Sequence, residues 1–213
     1  MSTARNHVRE QEAGIYIGNQ EDKANLSNPI SRALVQGFDR AFLAALAAAA
    51  PRSILEVGCG EGRLATLMAE QHPVDILATD FSTALIAGNA PLATERLHFA
   101  QASAYELSRT AHARDVVVCC EVLEHLEEPA IGLARMHALG ARYYVLSVPH
   151  EPIWRVLNMA RGKYWGDLGN TPGHLNHWTG AAFGRLLATQ GFTVERWLNP
   201  FPWLMVLARR TST

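Results

Sequence analysis

ILEVGCGEGRLA, residues 54–65, decides how the rest of this 213-residue chain is read. An apolar run broken only by Glu56 leads into glycines at 58, 60 and 62, and a helical pattern begins directly at Arg63. Glycine at alternate positions permits a tight turn and close approach of a ligand to the backbone. A buried strand that turns sharply into a helix is the opening unit of a parallel α/β sheet, whose ligands bind outside the carboxyl ends of the strands near the point where strand order reverses.

Outward from that unit, short apolar runs at 53–57, 74–79, 97–100, 115–120 and 142–148 read as strands, and their near-continuous hydrophobicity suits burial on both faces. Helical patterns at 63–70, 82–88 and 129–139 lie between them, so the alternation predicts a parallel sheet covered on both sides. A helix over 179–190 with Gly191 as its cap, then strands over 192–197 and 203–208, complete the chain. The fold class expected is α/β: a Rossmann-like doubly wound sheet of about seven strands, mostly parallel with an antiparallel C-terminal strand. Ahead of it, Asn28 and Pro29 read as the cap and first turn of a long amphipathic helix, with Ile30, Leu34, Val35, Phe38, Phe42 and Leu46 on one face and Pro51 at its end. Residues 1–27 read as an arm with little structure of its own.

Composition narrows the partners. At 48% hydrophobic and 18% charged residues the chain is built to fold, and 19 Lys+Arg against 20 Asp+Glu leave a net charge of -1. That balance argues against nucleic acid or anionic lipid as a general partner, since phosphate contacts call for clustered Lys and Arg. Arg155, Arg161 and Lys163 form the one basic cluster near the expected site. Cys59, Cys119 and Cys120 cannot all pair and lack a CxxC spacing, so they read as reduced thiols of a cytoplasmic protein. No stretch approaches the roughly 20 apolar residues of a membrane span, and the first residues lack the apolar run of a signal peptide.

The glycine turn is not built for a dinucleotide. That register needs a third glycine where Arg63 stands, and Glu56 would repel a diphosphate while attracting a cationic group. A nicotinamide-dependent oxidoreductase is disfavoured accordingly. An adenosine cofactor carrying positive charge and no phosphate fits, and S-adenosyl-L-methionine has that description.

EVGCGEG resembles the first motif of class I S-adenosylmethionine-dependent methyltransferases, and LATDFS, FAQASAYEL and DVVVCCEVLEHL resemble the motifs that follow it, over residues 52–148. The resemblance implies that Glu56, Gly58, Cys59 and Gly60 lie around the cofactor, that Asp80 accepts both ribose hydroxyls, and that Phe81 covers adenine. It places Ser103 where many members have an aspartate for the adenine amino group, with Ala104 offering a backbone contact, and it sets Cys120 and Glu121 beside the methionine part. On this reading residues 1–51 form an arm and lid, with Tyr16 a candidate cofactor contact. Residues 52–213 form the methyltransferase domain, with 149–178 inserted as an aromatic substrate cover. Trp154, Tyr164, Trp165 and Trp178 offer stacking surfaces there.

Methyl transfer requires alignment, exclusion of water and removal of a proton, and histidine suits the last task. His125, His150 and His174 are the candidates, with His177 beside them. Glu121, Glu124 and His125, with His174 or His177 downstream, resemble the metal motif of small-RNA 3′-end 2′-O-methyltransferases and ubiquinone-pathway O-methyltransferases. EVLEH-like segments are widespread in methyltransferases that need no metal, so no metal site is assigned from the sequence. The expected activity is methyl transfer to an oxygen or nitrogen of a small molecule. The alternatives are metal-assisted methylation of an RNA end and an inactive cofactor-binding subunit.

Overall fold

The structure is a computed structural model that describes residues 11–12, 15–16, 28–160, 165–171 and 173–211. Strands β1 (Gln11–Glu12) and β2 (Ile15–Tyr16) pair as a short antiparallel ladder within the stretch expected to be an arm with little structure of its own. The side chain of Tyr16 lies outside the described residues, and the contact expected of it is not on view.

Helix α1 (Pro29–Ala49) begins where the sequence expects it, with the Asn28 side chain accepting from the Ile30 amide. The order continues as β3 (Ser53–Val57), α2 (Arg63–Gln71), β4 (Asp75–Asp80), α3 (Thr83–Gly88), β5 (Leu97–Gln101), α4 (Arg109–His112), β6 (Val116–Cys120), α5 (Pro129–Ala138) and β7 (Tyr143–Pro149). Then come α6 (Ile153–Ala160), α7 (Gly180–Thr189), β8 (Phe192–Trp197) and β9 (Trp203–Arg210). Seven strands form one sheet in the order β5-β4-β3-β6-β7-β9-β8, parallel except for β9, which runs against both its neighbours. Strand order reverses between β3 and β6, which puts the switch point at the end of the glycine-bearing strand.

Alternate side chains of β3, β6 and β7 feed two cores. Leu55, Val117 and Leu146 pack with Leu133, Met136, Phe183 and Leu187 on the α5/α7 side, while Ile54, Val118 and Val145 pack with Phe42, Leu46 and Met68 on the α1/α2 side. Helix α1 is therefore part of the sheet packing, and only its first half, through Val35 and Phe38, reaches the ligand side. Ile30, expected on its buried face, is 70% exposed. Arg142 fastens the other end: its guanidinium donates to both carboxylate oxygens of Asp115 and to the carbonyls of Ala49 and Ala50. Arg142's bonds to Asp115, joined by those from the Arg52 side chain and amide, hold the Asp115 carboxyl well below the usual carboxylate range.

The segment after β7, expected to be an aromatic substrate cover, carries helix α6 and a 3-10 turn at Trp165–Asp167. It is tied back by the His150–Trp178 bridge and by Asn158, which donates to the Gly169 carbonyl and to Thr171. Among the described residues no helix is long and apolar enough to cross a membrane.

Candidate functional site

At the carboxyl ends of β3, β4, β5 and β6 lies a cleft of about 470 Å³, within the range common for small-molecule sites. Its floor is the glycine turn. Gly58 has φ +77° and faces Val122 so closely that a Cβ there would collide with the valine side chain. Gly60 has φ +53° and open space where a Cβ would stand, which leaves room for a ligand over the backbone. The Gly58 and Cys59 amides both donate to the Thr79 carbonyl, fixing the turn to β4. Asp80, 5% exposed, accepts from the Gly60 amide at 2.9 Å and from the Ser82 amide at 3.0 Å, so one carboxylate joins the turn to the start of α3.

Glu56 is 3% exposed, and its Oε2 has no hydrogen-bond partner among the described residues. Burial is the main reason its pKa is pushed up to about 8; the Asp80 charge adds to the shift and the Arg63 charge opposes it. A buried carboxylate of this kind is suited to a cationic ligand. Burial also pushes up the Cys59 and Cys120 thiols, so neither is an activated nucleophile.

All nine residues expected to bind the cofactor line this one cleft: Glu56, Gly58, Cys59, Gly60, Asp80, Phe81, Ser103, Ala104 and Glu121. Phe81 is held by Gln101, which donates to its carbonyl, and the Ser103 hydroxyl accepts from the Tyr105 amide. Glu121 sits at φ +59°, an unusual conformation for a side chain of its size, and accepts from Ser147. The three candidate bases are placed differently. His125 lines the cleft, whereas His174 lies behind it with ring centres 5.0 Å apart in an edge-on contact. His150 is not brought into the lining; its amide donates to the Pro202 carbonyl and its carbonyl caps the approach to α6. His177 bonds Asn170 instead, at 2.7 Å.

Glu124, His125 and His174 bring one ligand atom each within 4.8 Å of one another. His125 Nδ1 lies 2.9 Å from the Gly173 carbonyl, which can only accept, so Nδ1 carries a proton, while Nε2 lies 4.0 Å from Glu124 Oε1. A histidine whose second nitrogen donates to a carbonyl is the usual arrangement of a metal ligand. Two imidazoles and a carboxylate are donors that a divalent transition ion accepts. The grouping depends on a segment the motifs do not cover: Leu175 and Asn176 amides donate to the Glu124 carbonyl, and the Asn176 side chain donates to Leu126 at 2.6 Å.

Sequence reasoning missed Arg63, Tyr105 and Trp203 as lining residues. Arg63 was read only as an interruption of a glycine pattern. Trp203 carries no local signal, because only the antiparallel pairing of β9 with β7, Trp203 against Pro149, brings it to the cleft.

A seven-stranded sheet with this order and a cofactor-sized cleft at its switch point defines the class I methyltransferase architecture. A family model described as a methyltransferase domain matches residues 30–196, and the chain belongs to that family. Among curated proteins it is similar to the ubiquinone biosynthesis O-methyltransferase of Pseudomonas paraeruginosa, 31% identical over 48% of this chain and 47% of the relative. The Acinetobacter baumannii protein of the same name is 38% identical over 38% of this chain and 36% of its own. The chain thus spans about half the length, or less, of the curated relatives it matches. In fold it resembles the magnesium protoporphyrin IX methyltransferase of Synechocystis PCC 6803, solved with bound SAH, with a TM-score of 0.65 at 18% identity over 88% of this chain and 90% of that one. It also resembles the methyltransferase domain of bacterial CtHen1-CN, with a TM-score of 0.62 at 20% identity over 83% and 99%.

Proposed function

We propose that the protein transfers the methyl group of S-adenosylmethionine to a hydroxyl oxygen of a small aromatic acceptor. The observation that carries the reading is the buried, hydrogen-bond-deficient Glu56 carboxylate in the same cleft as Asp80, since it suits a ligand that brings a positive charge and a sugar diol. The donor supplies a methyl carbon already activated by its sulfonium. Glu56 then takes the ammonium group, Asp80 the ribose hydroxyls, and Phe81, Ser103 and Ala104 the adenine. Val35 and Phe38 of α1, with Trp203, line the same cleft with apolar surface and help to keep water out. Aromatic side chains there favour a planar acceptor. His125 Nε2 takes the acceptor's proton, with His174 and Glu124 around it. The curated relatives, named as O-methyltransferases, support oxygen over nitrogen.

The Glu124, His125 and His174 grouping favours a second form of the same reaction, in which a divalent ion held by those residues lowers the pKa of the acceptor hydroxyl. An RNA end is the weaker acceptor, because the acidic side chains of Glu61, Asp80 and Glu121 line the cleft.

Stabilisation of the fold by S-adenosylhomocysteine but not by NADH, followed by transfer of label from S-adenosylmethionine to phenolic acceptors, tests the function. Binding without transfer to any metabolite of a broad extract would leave the inactive-subunit alternative. Dialysis against a chelator separates the two forms. Loss of turnover restored by manganese or zinc selects the ion, and unchanged turnover selects the histidine alone.

A further inference from the structure

Trp154, expected as a stacking surface for the acceptor, is not brought into the lining of the cleft. Its ring meets a neighbour instead. It stands 6.5 Å, centre to centre, from the His174 imidazole with the two planes 26° apart, and 5.4 Å from the cleft-lining ring of Trp203. Its indole N–H donates to Thr171 Oγ1 at 3.0 Å. One turn further along α6, at the i+4 position, Asn158 Nδ2 donates to the same oxygen, also at 3.0 Å, and to the Gly169 carbonyl at 2.9 Å. An indole nitrogen and an amide NH2 can only donate, so the two bonds take both lone pairs of the Thr171 hydroxyl. Asn158 is 1% exposed, and losing that hydroxyl would strand one of its N–H donors away from solvent. The Thr171 carbonyl accepts from the His174 amide at 3.0 Å and so closes a turn, and the same turn presents the Gly173 carbonyl to His125 Nδ1.

Thr171 is therefore where two holds on His174 meet: one on its backbone, and one on the ring that lies against its imidazole. An imidazole can swing about two side-chain torsions, and a pair of histidines drawn from distant segments keeps its mutual angle only if both rings are held. A displacement of about 1 Å is enough to cost a reaction about a hundredfold. We propose that Trp154 and Thr171 are positioning residues of the acceptor side: anchored to each other by one hydrogen bond, they fix the His174 ring against His125. The inference rests on the functional reading above, in which His125 takes the acceptor's proton. Neither residue reaches the reacting atoms, and both act through His174. The assignment serves either form of the reaction, because the histidine alone and the histidine pair around an ion both depend on the angle between the two rings. It makes α6, a helix the methyltransferase motifs do not cover, part of the machinery that handles the proton.

The test uses three variants of the full chain: Thr171→Val, which keeps the shape and loses the hydroxyl; Thr171→Ser, which keeps the hydroxyl; and Trp154→Phe, which keeps a ring and loses the donor. Thr171→Val and Trp154→Phe should each lower kcat for phenolic acceptors by about tenfold or more while affinity for S-adenosylhomocysteine stays within about twofold, the split expected when alignment and not donor binding is lost. Thr171→Ser should stay within about threefold of the wild-type kcat, since the acceptor of both bonds is retained. The double variant of Thr171→Val with Trp154→Phe should be no worse than the worse single one, because both break the same bond. A second measurement needs no turnover: the His174 ring-proton resonances, which lie under the ring current of the indole, should move in Thr171→Val and Trp154→Phe and stay in place in Thr171→Ser. Unchanged kcat in Thr171→Val, equal losses in its Val and Ser variants, additive losses in the double variant, or His174 resonances that do not respond overturn the assignment. A wild type that transfers no methyl group to any phenol strikes the functional reading instead, while the resonances still decide whether Trp154 and Thr171 hold the ring.

Discussion

On the side of the cleft proposed for the donor, β3, β4 and β5 each end in a short segment whose own residues line it: the glycine turn, Asp80 with Phe81, and Ser103 with Ala104. On the side proposed for the acceptor, His125 comes from the turn after β6, His174 from a loop some fifty residues later, Trp203 from an antiparallel strand and Phe38 from a helix ahead of the sheet. The first region is local in sequence and rigid in backbone, with Gly58, Cys59 and Gly60 all bonded to β4. The second is assembled across the chain. Binding of the donor and activation of the acceptor should therefore separate cleanly under mutation.

The largest effect is expected on the donor side. Asp80→Ala removes the acceptor for the Gly60 and Ser82 amides as well as the proposed ribose contact. Cofactor affinity should fall by about a thousandfold, two or more bonds to a charged group being lost. A fall of less than about tenfold in a titration with S-adenosylhomocysteine would show that the turn is held without it. His125→Ala should act on the other side, lowering kcat by about a hundredfold with cofactor affinity unchanged within about twofold. If kcat and affinity fell together, the two regions would not be separable. His150→Ala, outside the cleft lining, should cost far less turnover than His174→Ala, and a reversed order would move the base to the end of β7.

Proton linkage gives a smaller, graded test. Glu56 holds its proton up to about pH 8 in the unliganded protein, with Arg63, Asp80 and the Cys59 and Cys120 thiols around it. An ammonium ligand favours the ionised form, so binding releases a proton. Affinity should rise by up to about tenfold per pH unit between about 6 and 8 and then level off. Glu56→Gln should flatten that slope. The sign for folding is opposite: the native state keeps a proton that the unfolded chain loses near the ordinary value of 4.5, so Glu56 makes the unliganded fold less stable as pH rises towards 8. The smallest effect belongs to neither side. Arg142→Ala should lower unfolding free energy by about 1–2 kcal/mol, through its bonds to Asp115 and to the end of α1, with ligand affinity unchanged.

The same contrast explains what the sequence disclosed. The strands from 53 to 148 and the helices after β3, β4 and β6 were legible because buried parallel strands such as VVVCC are apolar on both faces and those helices are periodic, whereas the four-residue α4 is too short to show a period. Every proposed cofactor residue sits within that range and beside its own strand end. The acceptor side was legible only as a set of histidines and aromatics. Nothing in GHLNHW says that His174 will meet His125 while His177 turns to Asn170, because the choice is made by backbone bonds from Leu175 and Asn176 to Glu124. Helix α6 was missed because its apolar residues were counted as aromatic cover rather than as a helical period.

Those two amide bonds to the Glu124 carbonyl have a further consequence. With the Asn176 side chain's bond to Leu126 and the His125 bond to the Gly173 carbonyl, they form the fastening by which a late segment of chain is laid on an early one, and such a fastening can open without unravelling the sheet beneath it. Opened, the molecule would still hold its donor but would have parted His174 from His125. A population split of this kind would appear as amide exchange at Leu175 and Asn176 faster than at Gly58 and Cys59, and would set the share of donor-loaded molecules competent to react at any moment.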